Sequence, residues 1–194
     1  MNRTNFKNNE NKVLPMTVVL VGLMGAGKTS VGKRLAERLN VSFIDVDHEI
    51  ERAAGCSVAD FFEKFGEKEF REGEKRVIAR LLKLEPCILA TGGGAYMALK
   101  TRELIKEKAV SLWIRADLDV LERRLSRRSG RPLLQTDDPR ATIKTLIETR
   151  YPIYGEADLT VESPAVPVEI TVNAVYDVVV QYFALNKGRL LWEI

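Results

Sequence analysis

The stretch TVVLVGLMGAGKTS, residues 17–30, decides how the rest of the chain is read. Five apolar residues of strong strand character run into a glycine-rich loop, and a helical pattern follows from Lys28 to Leu39. Gly22, Gly27, Lys28 and Thr29 satisfy the spacing G-x-x-x-x-G-K-[ST]. In such a loop backbone N–H groups converge on phosphate oxygens, the lysine neutralises the outer phosphates and the hydroxyl serves Mg²⁺. Gly25, Ala26, Gly27, Lys28, Thr29 and Ser30 are therefore expected to hold ATP, with Thr29 toward the metal. The bland alternative, a chance glycine turn, is disfavoured by the strand before it and the helix after it.

Working outward, further strands are expected at 42–46 (SFIDV), 87–91 (CILAT), 109–114 (AVSLWI) and 159–162 (LTVE). Between them lie helical patterns: a long one over 48–84, interrupted near Gly55 and Gly66, one over 98–108, and a closing helix over 168–185. Ser57 and Asp60 fit a capping box inside the long helical region. Short strands alternating with helices imply βαβ units, hence an α/β fold: a central five-stranded parallel sheet flanked by helices. Ligands of such sheets bind at the carboxyl ends of the strands. The segment SRRSGRPLLQTDDPR, 126–140, carries Gly130, Pro132 and Pro139 between two helical patterns and reads as a mobile lid. The expected organisation is a disordered tail over 1–15, one P-loop kinase domain over 16–188 with substrate-binding helices at about 48–84, and an unassigned tail over 189–194.

Composition narrows the class. At 194 residues, 45% hydrophobic and 29% charged, the chain is ordinary for one globular domain. A net charge of +3 provides no field of the size nucleic acid requires. The local cluster of Arg115, Arg123, Arg124, Arg127, Arg128 and Arg131 lacks interleaved aromatics for base stacking. Arg124, Arg127 and Arg128 share a helix face and read as a solvated surface. Cys56 and Cys87 form no C-x-x-C pair and read as reduced thiols. No apolar stretch approaches the ~20 residues that span a bilayer, and the asparagine-rich N-terminus lacks the apolar core of a secretory signal. The expectation is a cytoplasmic, monomeric enzyme with no nucleic-acid or membrane partner.

The phosphoryl acceptor must be read elsewhere. No N-K-x-D motif of GTPases follows a later strand, and no strand closes with the Asp-Glu of motor ATPases, which leaves small-molecule kinases. Phe43, Asp45 and Asp47 would alternate onto one face of the second strand, beside the loop. Asp45 is the candidate for Mg²⁺, through water, and Asp47 for accepting the hydroxyl proton of the substrate. Alternatively, Asp47 only caps the helix beginning at His48.

Two helices carry charge on their apolar faces. The stripe Phe70, Val77, Ile78, Leu81 extends back to Glu74 and Arg71, and the stripe Ile143, Leu146, Ile147 extends to Arg150. Two inward arginines suggest an anionic acceptor held in a bidentate way, although Arg71 and Glu74 could form a structural ion pair. Gly92, Gly93 and Gly94 follow the third strand, where side chains would block a ligand approaching the backbone. Arg131, in the lid, could close over ATP and stabilise the transferring charge.

In combination, GLMGAGKTSVGKRLA, FIDVD, FREGE, TGGG, RPLL and LIETRYPIYGEAD resemble the motifs of the shikimate kinases, in that order and over roughly residues 18–163. The resemblance implies ATP-dependent phosphorylation of the 3-hydroxyl of shikimate, on the route to chorismate and the aromatic amino acids. It further implies Asp47 at the substrate hydroxyls as base, Arg71 and Arg150 on the shikimate carboxylate, Gly93 contacting the substrate through its backbone, and Arg131 on ATP. Catalysis would then rest on Asp47, Lys28 and Arg131. Two rivals remain at this point: a gluconate kinase, whose acceptor also offers one carboxylate and several hydroxyls, and a silent ATP-binding module.

Overall fold

The computed structural model describes residues 14–126 and 138–186. The expected lid and Arg127, Arg128 and Arg131 within it, the N-terminal tail and the stretch 187–194 thus lie largely or wholly outside the described residues.

The strands are β1 (Thr17–Val21), β2 (Phe43–Asp45), β3 (Ile88–Ala90), β4 (Ala109–Arg115) and β5 (Leu159–Glu162), all parallel in the order β2-β3-β1-β4-β5. β1, β3 and nearly all of β4 are buried along their whole length, whereas the edge strands β2 and β5 are only partly so. That follows from helices covering both faces of a parallel sheet, which makes central strands continuously apolar. VVLV of β1 fills the centre of the core.

The helices are α1 (Lys28–Leu39), α2 (Val46–Ala54), α3 (Val58–Leu81), α4 (Leu99–Lys108), α5 (Leu118–Leu125), α6 (Pro139–Tyr154) and α7 (Val168–Leu185), with a 3-10 turn at Ala95–Met97. The capping box at Ser57 and Asp60 is formed. Gly66 interrupts α3 with φ 78° and ψ 171°, a backbone region that is essentially glycine-only, so the helix bends there instead of ending. α7 comes nearer to membrane-spanning length than the sequence reading allowed, with 18 residues at mean hydropathy 1.3. Its Val172, Val175, Val179 and Phe183 are nevertheless buried in the core. Arg34–Glu169 and Arg38–Asn173 contacts pin α7 to α1, and the Arg38 guanidinium lies 3.7 Å from the centre of the Tyr176 ring.

Two expected strands are shorter than their sequence suggests, β3 keeping Ile88–Ala90 of 87–91 and β2 keeping Phe43–Asp45 of 42–46. FIDV does not stay extended through Val46, because Asp45 caps α2 by accepting the Asp47 N–H at 3.2 Å. Asp47 is therefore the second residue of a helix and not a strand residue, which corrects the alternation argument for it. The cap that could have been Asp47's only role belongs to Asp45.

Candidate functional site

Three chain reversals at the carboxyl ends of β1, β2 and β3 build the site. The first is the glycine loop after β1. Its last residue, Gly27, is the N-cap of α1, supplies no side-chain cap, and leaves a first turn without acidic residues. The opening amides of α1 and its positive dipole end are consequently aimed at a cavity of about 440 Å³ lined by Gly25, Gly27, Lys28, Thr29 and Ser30. That is the chemistry of an anion site. Lys28 Nζ bonds the Gly22 and Leu23 carbonyls at 2.7 and 3.0 Å, inside the loop it belongs to. Ala26 does not face the cavity: it is buried, and its N–H bonds the Leu23 carbonyl.

The second reversal, at the end of β2, brings Asp45 and Asp47 to the opposite wall of that cavity. Thr29 Oγ1 donates to Asp45 Oδ2 at 3.0 Å. A hydroxyl and a carboxylate so placed beside a phosphate loop suit a hard, water-rich cation such as Mg²⁺, which uses few protein carboxylates. Among the described residues no cluster of three or more His, Cys, Asp or Glu competes for that part. Burial, and after it the neighbouring Asp45 charge, push the Asp47 carboxyl above its ordinary pKa, with Lys28 and Arg71 opposing. A carboxylate held this way is a stronger proton acceptor than one in water.

The third reversal is TGGG, residues 91–94. Thr91 ties it to β1 through the Leu20 carbonyl, to which both its N–H and its hydroxyl donate. Gly92 and Gly94 are required by close approach rather than by backbone angle. A Cβ on Gly92 would fall 2.8 Å from Asp47 Oδ1 and 3.1 Å from Glu74 Oε1, and one on Gly94 would collide with the Arg71 guanidinium. A Cβ on Gly93 would lie 3.7 Å from Arg150 Nη1. The expected acid, both expected arginines and the expected glycine thus converge on one short loop from three different helices.

Arg71 is not left without a counter-ion, which corrects the argument that inward arginines demand an external anion. Its Nη1 donates to Glu74 Oε2 at 2.7 Å, and Glu67 accepts at 3.2 Å from the more exposed side. Glu74 is buried, its pKa is pushed up to about 7 chiefly by that burial, and its Oε1 finds no hydrogen-bond partner among the described residues. Arg150 Nη1 donates to the Gly93 carbonyl at 3.2 Å. Neither guanidinium lines the phosphate cavity; both sit at the glycine loop on its border.

Arg124 corrects a second expectation. Instead of a solvated face, it spans from α5 to the phosphate loop, donating to the carbonyls of Gly25 (3.4 Å) and Ala26 (3.1 Å), to Ser163 Oγ (3.0 Å) and to the Pro164 carbonyl (2.8 Å). With Ser163, Val166 and Thr171 it closes the cavity at the far end from Asp47. Helical periodicity could not distinguish it from its neighbours. The usable signal was the position of Ser163 and Pro164 just past β5, at the carboxyl edge where such sheets bind ligands.

Comparison with known proteins gives a consistent picture. Residues 24–179 match the family model described as shikimate kinase. The chain is 54% identical over 171 residues to a shikimate kinase of Paramagnetospirillum magneticum, covering 88% of each chain, and 51% identical over 177 residues to one of Ruegeria pomeroyi, covering 91% of this chain and 89% of the relative. Among solved structures it resembles a shikimate kinase from Acinetobacter baumannii in complex with shikimate, with TM-score 0.82, 36% identity and coverage of 86% and 94%. A gluconokinase from Sinorhizobium meliloti, 20% identical at TM-score 0.62 over 91% of this chain and 98% of that one, shares the fold.

Proposed function

This chain belongs to the shikimate kinase family, and we infer that it transfers the terminal phosphoryl group of ATP to the 3-hydroxyl of shikimate, giving shikimate 3-phosphate and ADP on the route to chorismate and the aromatic amino acids. The observation that carries the residue assignments is the convergence of Asp47, Arg71 and Arg150 on Gly92–94, next to an anion-binding loop.

The roles follow from placement. Amides of Gly25 and of Gly27 to Ser30, with the Lys28 ammonium, hold the phosphates. Lys28 exchanges its loop carbonyls for phosphate oxygens, which costs little because both partners are hydrogen-bond acceptors. Thr29 and Asp45 hold Mg²⁺, whose contribution is to offset charge on the transferring group. Arg71 and Arg150 fix the shikimate carboxylate, Gly93 meets the substrate through its backbone, and Asp47 takes the proton from the 3-hydroxyl as the oxygen attacks in line. Glu74 holds Arg71 rigid, and a fixed guanidinium plane pairs with a carboxylate at two points. Arg131 acts on ATP from the segment 126–140. Positioning and charge stabilisation supply most of the acceleration in such a transfer.

The gluconate reading loses its footing because relatives more than half identical are shikimate kinases, whereas the gluconokinase likeness extends to fold alone. A silent ATP-binding module would not need Asp47 desolvated at the border of the phosphate cavity. We further assign the chain to the cytoplasm, as a monomer, with the organisation into terminal tails, one kinase domain and a lid expected from the sequence; the unpaired Cys56 and Cys87 support a reducing compartment. Phosphorus NMR of the product, together with Asp47→Asn, tests the assignment. A single ester at the 3-hydroxyl is expected, with turnover of the variant reduced at least ~100-fold while ATP binding persists. A variant of undiminished turnover would remove Asp47 from the chemistry.

A further inference from the structure

Arg150 and Tyr154 stand one helical turn apart on α6 and share a partner. Both the Arg150 Nη1 and the Tyr154 hydroxyl donate to the Gly93 carbonyl, which brings the Arg150 guanidinium beside the phenol. The three groups close a triangle at the middle glycine of the loop. Tyr154 is fully buried, and its ring is fixed among Tyr96, Trp113 and Tyr151, with centroids 6.4, 5.9 and 6.3 Å away. Burial pushes the phenol up to about 12, so it remains a neutral donor throughout the physiological range. Neighbouring Tyr151 spends its hydroxyl on the Ala116 carbonyl, away from the glycine loop. Contact with the loop is therefore particular to Tyr154 and not a property of the aromatic cluster.

The helix itself does not fix Arg150. Pro152 lies inside α6 and has no N–H to close the turn onto residue 148. On any helix the backbone fixes where a long side chain starts but not its torsions, so the Arg150 guanidinium plane keeps one orientation only if its far end is anchored. We propose that Tyr154 is a positioning residue for the acceptor's carboxylate, holding the Gly93 carbonyl and the Arg150 guanidinium in one fixed geometry so that the outer edge of the guanidinium meets the carboxylate in a bidentate way. The proposal rests on the reading of Arg150 as part of the carboxylate clamp. A clamp remote from the reacting hydroxyl binds the ground state and the transition state alike, so its loss appears in KM for the acceptor and leaves kcat in place.

The test is a double-mutant cycle of Tyr154→Phe and Arg150→Ala, assayed with shikimate and with its methyl ester, which keeps the ring and hydroxyls but not the charge. In Tyr154→Phe the KM for shikimate is expected to rise roughly tenfold, with kcat and the KM for ATP within about twofold of the parent. The methyl ester should be turned over by parent and variant with the same kcat/KM, and Tyr154→Phe should add nothing in the Arg150→Ala background. KM does not depend on how much of a sample is folded, so a variant of lowered yield still reports. An unchanged KM for shikimate in Tyr154→Phe, or an equal loss with the methyl ester, overturns the positioning role while leaving the clamp intact. An unchanged KM in Arg150→Ala overturns the clamp itself, and the proposal with it.

Discussion

Replacing Glu74 by glutamine removes a buried titration from the substrate side of the site. In the folded protein the Glu74 carboxyl titrates near 7, against an ordinary value of 4.5. The native state therefore binds this proton more tightly than the unfolded chain does. The sign follows: the stabilisation is fully present below about pH 4.5 and is lost as pH rises through 7. Each unit of difference is worth about 1.4 kcal/mol, so between pH 5 and 8 Glu74 withdraws on the order of 2–3 kcal/mol of folding free energy. The cause is burial, which leaves one oxygen without a hydrogen-bond partner among the described residues and outweighs the opposing pull of Arg71 on the other. Urea unfolding of the parent and Glu74→Gln at half-unit steps from pH 5 to 8 reads the effect as the difference between the two curves, together with its coupling to the nearby Asp47. The difference in unfolding free energy should move in favour of the variant by on the order of 2–3 kcal/mol across that range. Parallel curves would mean that Glu74 titrates as an ordinary carboxylate and that the desolvation argument for this side of the site is wrong.

Other consequences are accessible to steady-state assays. Gly94→Ala places a methyl group where the Arg71 guanidinium lies, and it should raise the KM for shikimate roughly tenfold at unchanged ATP affinity, whereas equal KM values would show that Arg71 has room to retreat without loss. Asp45→Ala removes both the partner of Thr29 and the cap of α2; it should raise the Mg²⁺ concentration needed for half-maximal turnover and lower unfolding free energy by about 1 kcal/mol, read by metal titration and urea melts. Arg124→Ala leaves Ser163 and two phosphate-loop carbonyls without their donor, and calorimetric titration with ATP should register weaker binding while the KM for shikimate stays within about twofold.

What the sequence made legible follows from how local each signal is. β1, α1 and the capping box at Ser57 were readable to the residue, because a strand, a glycine loop and a cap are decided by neighbours in sequence. Inward placement of Arg71, Glu74 and Arg150 was readable because helical period dictates facing. Asp47 does line the cavity, but not for the reason that strand alternation suggests. Alternation assumed a strand through residue 47, whereas the Asp45 side chain captured the Asp47 amide and started a helix. The counter-ion of Arg71 lay in the same stripe, at i+3, yet its pairing depends on burial that sequence does not state. Arg124 and Tyr154 were missed because their partners are far away in sequence: residues 25, 26, 163 and 164 for one, and residue 93 for the other. The Arg131 assignment, in a segment outside the described residues, rests on family resemblance and chemistry alone.

In the proposed reaction a phosphate loop and a two-arginine clamp meet across Asp47 to phosphorylate one carboxylated acceptor. Coupled ADP release with Mg·ATP, comparing shikimate with gluconate in the parent, Arg71→Ala and Arg150→Ala, tests it most directly. The account predicts release that depends on shikimate, at most a small response to gluconate, and kcat/KM for shikimate lowered at least tenfold in each arginine variant. Equal turnover of the two acids, or arginine variants as efficient as the parent, would contradict it.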